Sequence, residues 1–362
     1  MARLREECGV FGIFDNKDAA ALTALGLHAL QHRGQEGCGI VTSDGKNFYA
    51  ERRLGLVGDN FTKGKVLEKL PGSYAIGHNR YSTTGNNLIK NVQPFFADLH
   101  AGGISIAHNG NLSNARYLRR ELVKNGSIFQ TTSDTETIVQ LIAKSKRSKI
   151  IDKIIDALFK IQGGYALTIL TNKKLIGIRD PFGIRPLVIG KLNKSYILTS
   201  ETCALDLIGA RYVRDVAPGE LLVIGRDGQR SYRPFPVAQP CHCVFEHVYF
   251  ARPDSIVFGR SVNEVRTNFG RLLSREAPID ADVRRPPVDA HSCRLTPVHG
   301  FPTHTGQHVR QMCSITVHQV DVVIIHRRPV VSVRTGQCNA GGCNPRRSGD
   351  LLPNACDALR CE

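Results

Sequence analysis

Apolar and polar positions follow two periods up to about Val283 and then lose both. Asp18 to Leu30 places Leu22, Leu25 and Ala29 on one helical face, and Asn114 to Lys124 and Asp134 to Ala143 are also predicted as helices. Ser133 followed by Glu136 is a capping-box pattern at the start of the last of these. A strand is predicted for Gly37 to Val41, entering a turn at Ser43-Asp44-Gly45. Another runs from Gly103 to Ala107 and stops at the turn-forming His108-Asn109-Gly110-Asn111. Gly164 to Leu170, Leu175 to Arg179, Pro186 to Ile189 and Ser195 to Thr199 read as successive strands with short turns. Strands, then helices, then more strands predict a layered α/β (α+β) fold with substantial antiparallel sheet rather than a βαβ array.

Between Val237 and Val244 the pattern lapses, marking a candidate domain boundary. Ser261 to Arg275 is then a basic amphipathic helix with Val262, Val265, Phe269 and Leu272 or Leu273 on its apolar side. The 79 residues from Arg284 to Glu362 hold no Lys, ten Arg, six of the thirteen His, seven of the seventeen Pro and six of the eleven Cys. Only Ile315 to Val317 and Val320 to Ile325 look strand-like there, and no stretch keeps a helical period. Three readings of this tail are open. The reading frame is disrupted or truncated after Val283, or the tail is a divergent domain or basic segment. Alternatively, Cys338-x4-Cys343 and Cys356-x4-Cys361, with His304 and His308 upstream, bind zinc.

A length of 362 residues suggests about two domains on the soft prior of roughly 150 residues each. No run approaches the ~18 consecutive apolar residues of a membrane-spanning helix. The opening Met1-Ala2-Arg3-Leu4-Arg5-Glu6-Glu7 lacks an apolar core, so the cytoplasm is the expected compartment. A net charge of +16 favours anionic partners. With no recognisable nucleic-acid-binding motif, phosphorylated small molecules are favoured over nucleic acid.

The chemistry centres on Cys8, in Glu6-Glu7-Cys8-Gly9-Val10-Phe11-Gly12-Ile13-Phe14. If residues 1–7 are a leader that is removed, Cys8 gains a free α-amino group of pKa about 7.7 to 8.0, able to take the thiol proton at neutral pH. Nucleophile and base then share one residue. Taken singly, Cys8 could equally be a buried Cys on an edge strand. Singly, too, Arg80 reads as a surface ion-pair residue, Asp134 as part of a helix start and Asn109-Gly110 as an ordinary turn.

The motifs taken together say more. Leu30-Gln31-His32-Arg33-Gly34-Gln35-Glu36-Gly37, Gly77-His78-Asn79-Arg80-Tyr81-Ser82-Thr83, Ala107-His108-Asn109-Gly110-Asn111 and Ser133-Asp134-Thr135-Glu136 join Cys8 in an order that resembles the class II glutamine amidotransferases. Within that group, Arg179-Asp180-Pro181-Phe182-Gly183-Ile184-Arg185-Pro186-Leu187, Ser200-Glu201-Thr202-Cys203-Ala204 and Tyr249-Phe250-Ala251-Arg252-Pro253-Asp254-Ser255 are similar to the amidophosphoribosyltransferase family, over residues 6–283. Asparagine and glucosamine-phosphate synthases share the glutaminase domain, but Tyr249 to Ser255 and the Glu-Glu-Cys leader disfavour them.

The resemblance implies a four-layer αββα N-terminal-nucleophile glutaminase domain at 8–236. A linker and the start of a phosphoribosyltransferase-type α/β domain would follow at 237–283, then the divergent tail at 284–362. It makes Cys8 the nucleophile, Asn109 and the Gly110 N–H the oxyanion donors, Arg80 the partner of the glutamine α-carboxylate and Asp134 that of its α-amino group. The polarity is sound, since a guanidinium forks onto a carboxylate and a carboxylate receives an ammonium. His32, His78 and His108 are expected to be structural, and Cys38 and Cys203 buried small side chains.

In the resembled family a γ-glutamyl thioester is hydrolysed, and the ammonia displaces pyrophosphate from phosphoribosyl pyrophosphate with Mg²⁺, giving 5-phosphoribosylamine for purine synthesis. The family also allows a homo-oligomer and, in some members, an iron–sulphur cluster. Cys243 stands where the first cluster ligand falls, but the other ligands belong to the part not recognisable here, so a complete cluster is not expected. The paired acids and Gly-Thr-Thr of the phosphate loop are not found either. Val320-Asp321-Val322-Val323-Ile324-Ile325 runs instead into His326-Arg327-Arg328-Pro329. A glutaminase-only or catalytically silent fragment with a basic tail is therefore the alternative.

Overall fold

A computed structural model describes residues 8–62, 64–81 and 88–278, together with the backbone of 312–317 and 320–325. In chain order the first elements are β1 (Gly9–Phe14), α1 (Ala19–Ala29), β2 (Gly37–Ser43), β3 (Phe48–Leu54), α2 (Val57–Phe61), α3 (Gly64–Leu67) and β4 (Tyr74–Arg80). Next come β5 (Phe95–Leu99), β6 (Gly102–Leu112), α4 (Ala115–Lys124), α5 (Thr135–Lys144), α6 (Ile150–Leu158) and β7 (Gly163–Thr171). They are followed by β8 (Leu175–Arg179), β9 (Val188–Leu192), β10 (Ser195–Thr199), α7 (Cys203–Leu207), β11 (Arg211–Asp215), β12 (Leu221–Gly225) and β13 (Gly228–Tyr232).

Two antiparallel sheets result, ordered β11-β9-β10-β1-β4-β2-β3 and β13-β12-β8-β7-β6-β5. Period-2 alternation explains how they stack. On β1, Val10 and Phe14 enter a core shared with Ala107, Ala166, Leu170 and Leu222 of the other sheet, while Phe11 and Ile13 enter a core under α1 and α7. On the far side, α4, α5 and α6 cover Ile104, Ile106, Leu167 and Ile169. The αββα layering expected from the motifs is thus present, with Cys8 leading into the central strand of its sheet rather than an edge strand.

Of the face predicted for helix α1, Ala29 is buried and Leu22 packs against the core, but Leu25 turns outward. Leu25 is 46% exposed, whereas Ala20, Thr23, Ala24 and Leu27 are buried. Close approach decides the matter. A Cβ at Gly26 would lie 2.3 Å from the Phe11 ring, and one at Gly77 of β4 would lie 2.6 Å from Thr23 and 2.7 Å from Leu27, so small residues bring helix and sheet into contact.

Other boundaries move for related reasons. Pro186 lies before β9, which begins at Val188 and continues to Leu192. Residues 108–111 are not a turn, because β6 continues through them to Leu112 in unbroken register with β7. Asp134 rather than Ser133 is the cap residue of α5, and no capping box forms. The Glu136 carboxylate instead accepts the N–H groups of Gln130 and Thr131, at 2.8 Å each, and fastens the preceding loop.

After β13, one wide helical turn spans Glu246–Phe250, and the short pair β14 (Ile256–Val257) and β15 (Arg260–Ser261) leads into α8 (Val262–Glu276). Ser261 caps α8 by accepting the Glu264 N–H at 3.4 Å. Of its predicted apolar side only Val262 is buried, with Phe269, Leu272 and Leu273 exposed. The predicted tail strands form an antiparallel hairpin, β16 (Met312–Val317) with β17 (Val320–Ile325). Residues 1–7 and the proposed zinc ligands of the tail lie outside those whose side chains are described. Among the described residues, no helix is long and apolar enough to cross a membrane.

Candidate active site

Cys8, Arg80, Tyr81, Gly110 and Asp134 line one small cleft, with His78, Gln93 and His108 at its walls. They arrive from both sheets and from the start of α5, so only the completed layering assembles the cleft. Burial pushes the Cys8 thiol up to about 11, although the Tyr81 carbonyl and the charges of Arg80, Arg185 and Arg33 pull the other way. The thiol donates to the Tyr81 carbonyl at 3.8 Å, and no imidazole or carboxylate among the described residues is hydrogen-bonded to Sγ. A protonated sulphur without a side-chain base needs another acceptor for its proton.

Arg80 ends β4 opposite Gly37 and is only 5% exposed, so it is not a surface ion-pair residue. Burial lowers its pKa, which the Cys8 and Glu36 charges oppose. Across the cleft, Asp134 accepts the Leu112 N–H at 2.9 Å, and its other oxygen lies 3.6 Å from His108 Nδ1. Burial disfavours its charge, but His108 and the backbone N–H groups of Leu112 and Thr135 outweigh it and hold the carboxyl below the usual range.

Strand parity places Asn109 on the face of β6 that Ala107 shares with the other sheet, while His108 turns toward α5 and meets Thr135 Oγ1 at 3.1 Å. Asn109 is 1% exposed, and neither amide atom has a hydrogen-bond partner among the described residues. Such a group awaits a ligand or is costly. Gly110 has φ +145, and a Cβ there would sit 2.1 Å from the Gly164 carbonyl oxygen, so the strand carries Gly for backbone reasons at this position.

Each of the three motif histidines has a partner within the fold. His32 pairs with Glu201 at 2.7 Å, and His78 donates to the His108 carbonyl at 3.1 Å. Cys38 and Cys203 are buried. Not anticipated from the sequence was the role of Arg33, fully buried, whose Nε donates to the Cys8 carbonyl at 2.8 Å. Its only sequence signal was membership of the Gln31-His32-Arg33-Gly34 motif.

Cys243 is not among the residues that line this cleft, and its N–H reaches the Ile184 carbonyl at 3.4 Å. Among the described residues no group of three or more His, Cys, Asp or Glu could hold a metal ion. Cys241 and Cys243 are two thiols, against the four of a cluster, and the six cysteines of the tail lie outside the residues whose side chains are described.

Two stacked antiparallel sheets flanked by helices, with a cysteine at the head of a central strand, define an N-terminal-nucleophile glutamine amidotransferase fold. Residues 78–207 match the family model described as a glutamine amidotransferase domain. More particularly, the chain is similar to amidophosphoribosyltransferases. It is 54% identical over 294 residues to that of Rhizobium etli, covering 79% of this chain and 59% of the relative. To amidophosphoribosyltransferase 1 of Arabidopsis thaliana it is 53% identical over 281 residues, covering 77% of this chain and 50% of the relative. A solved structure of glutamine phosphoribosylpyrophosphate amidotransferase from B. subtilis, complexed with ADP and GMP, superposes with TM-score 0.72 at 44% identity, covering 76% of this chain and 60% of that one. The chain thus spans between half and three fifths of the length of these relatives.

Proposed function

We propose that, once residues 1–7 are removed, Cys8 hydrolyses glutamine, and that this chemistry serves an amidophosphoribosyltransferase. The observation that carries it is the convergence of Cys8, Arg80, Gly110 and Asp134 on one cleft, with no side-chain base among the described residues hydrogen-bonded to the sulphur. The freed α-amine of Cys8 takes the thiol proton, and Sγ attacks the side-chain amide carbon of glutamine. Developing oxyanion charge falls to the Asn109 side chain and the Gly110 N–H, and Arg80 and Asp134 hold the α-carboxylate and α-ammonium. The amine then returns its proton to the leaving nitrogen, ammonia departs, and water cleaves the γ-glutamyl thioester to glutamate.

The relatives' names favour passage of that ammonia to phosphoribosyl pyrophosphate over a glutaminase-only or silent fragment. Mg²⁺ and phosphoribosyl pyrophosphate belong to this wider proposal, because the sequence of the described residues holds no paired-acid Gly-Thr-Thr loop and the similarity stops short of the relatives' full length. The test is glutamate release by protein shown by N-terminal sequencing to begin at Cys8. Release by this protein and none by Cys8→Ala supports the reading, and identical behaviour of the two rejects it. Phosphoribosylamine formation from phosphoribosyl pyrophosphate and free ammonia tests the transfer half separately.

A further inference from the structure

The buried charges behind the cleft form a clasp between the glutaminase layers and the segment that follows them. Arg33 is fully buried, and so are Glu201 and Glu246. Arg33 donates through Nη1 to Glu201 at 2.6 Å and through Nη1 and Nη2 to Glu246 at 3.0 and 2.9 Å, while its Nε holds the Cys8 carbonyl. Arg185 Nη1 reaches Glu246 Oε1, the oxygen that accepts Arg33 Nη2, at 3.4 Å. The clasp is reciprocal, because the other oxygen of Glu201 accepts the Arg252 N–H at 2.9 Å and the Ser255 hydroxyl at 2.7 Å.

Burying these ions costs more than a surface site would, and only complete pairing offsets it. The two carboxylates outweigh burial and hold the Arg33 guanidinium charged. A rigid guanidinium bonded through all three nitrogens is held in one orientation, and here that orientation aims Nε at the backbone of the nucleophile. Glu246 belongs to the wide turn beyond β13, after the predicted boundary at 237–244.

We propose that Glu246 is a positioning residue for the Cys8 nucleophile, acting through Arg33, so that glutamine hydrolysis depends on the docking of the segment that leads into the acceptor half. The inference rests on the reading of Cys8 as the glutaminase nucleophile. Glu246→Gln sets an amide donor against the Arg33 and Arg185 donors, which frees Arg33 to turn away from the Cys8 carbonyl. Glu246→Asp keeps the charge with a shorter reach, for the case in which the first variant does not fold. Glu220→Gln is the control, a buried carboxylate paired with Arg214 and not with Arg33 or Arg185.

In the processed full chain, kcat is measured per site titrated with an electrophilic glutamine analogue, so that unfolded protein is not counted. The Glu246 variants are expected to lose about tenfold in kcat with KM for glutamine changed by less than about twofold. The acid limb of the kcat profile should move to higher pH as the guanidinium leaves the neighbourhood of the α-amine. The control should change neither. A folded Glu246 variant with wild-type kcat and pH profile, or a control that loses as much, overturns the proposal. If the wild-type chain hydrolyses no glutamine, the reading of the function fails by itself. The rate of Cys8 alkylation by iodoacetamide, read on the N-terminal peptide, then judges the clasp: about tenfold slower in the Glu246 variants supports it, and an unchanged rate rejects it.

Discussion

Asp134 Oδ2 accepts the Leu112 N–H at 2.9 Å, tying the start of α5 to the end of the strand that carries Asn109 and Gly110. One carboxylate thus faces the cleft and holds the end of the strand that carries Asn109 and Gly110. Asp134→Asn retains an acceptor for Leu112 but loses the charge that receives an ammonium. It should raise KM for glutamine by about tenfold or more while kcat stays within about threefold. Asp134→Ala loses both functions, and steady-state kinetics should show kcat falling as well.

Arg80→Lys keeps a positive charge and removes the planar fork. If Arg80 grips the α-carboxylate at two points, KM for glutamine should rise by about tenfold, a loss of about 1.4 kcal/mol. Hydrolysis of an amide lacking the α-carboxylate should be nearly the same in variant and wild type. Equal KM values for glutamine would remove Arg80 from this role.

Gly110→Ala places a methyl group 2.1 Å from the Gly164 carbonyl oxygen, at φ +145. The β6–β7 ladder must open to admit it. Thermal or denaturant unfolding should show a loss of about 2 to 4 kcal/mol, and the displaced N–H should lower kcat about a hundredfold.

Burial pushes the His78 imidazole down to about 3, with the charges of His108 and Arg80 adding to the effect and its hydrogen bond to His108 opposing it. A folded-state pKa below the unfolded value of about 6.5 means that the unfolded chain binds the extra proton first. The stability that His78 contributes is therefore complete above about pH 6.5 and falls by about 1.4 kcal/mol per unit between there and about pH 3. His78→Gln keeps a donor for the His108 carbonyl without titrating. Denaturant unfolding at pH 6.5 and 4.5 should show a slope against pH shallower by that amount.

Much of this site was legible in the sequence because its chemistry demands particular residue types. A cysteine after a short opening segment, a guanidinium, a carboxylate and an Asn-Gly pair occur in chain order, and the cleft lining holds Cys8, Arg80, Gly110 and Asp134, with the Asn109 side chain not among it. Strands of local pattern such as Leu175–Arg179 and Ser195–Thr199 were legible residue for residue. Where the reading failed, tertiary context decided. Asn109-Gly110 carries a turn signal, yet β7 pairs with it and makes it strand. Helical spacing puts Leu25 with Leu22 and Ala29, yet the close contact that Gly26 and Gly77 allow leaves Leu25 outside and buries Thr23 and Leu27. Arg33 and Glu246 are 213 residues apart, and no local period announces that two such charges will meet in a buried pair.

The central claim is that Cys8 becomes an N-terminal nucleophile directed at glutamine. Its most direct measurement is mass spectrometry of the intact chain and its peptides after reaction with an electrophilic glutamine analogue. One label per chain is expected, on a peptide that begins at Cys8, with glutamine protecting against it and Cys8→Ala abolishing it. Labelling spread over other cysteines, indifferent to glutamine, or found on a chain that still carries residues 1–7 would contradict the account.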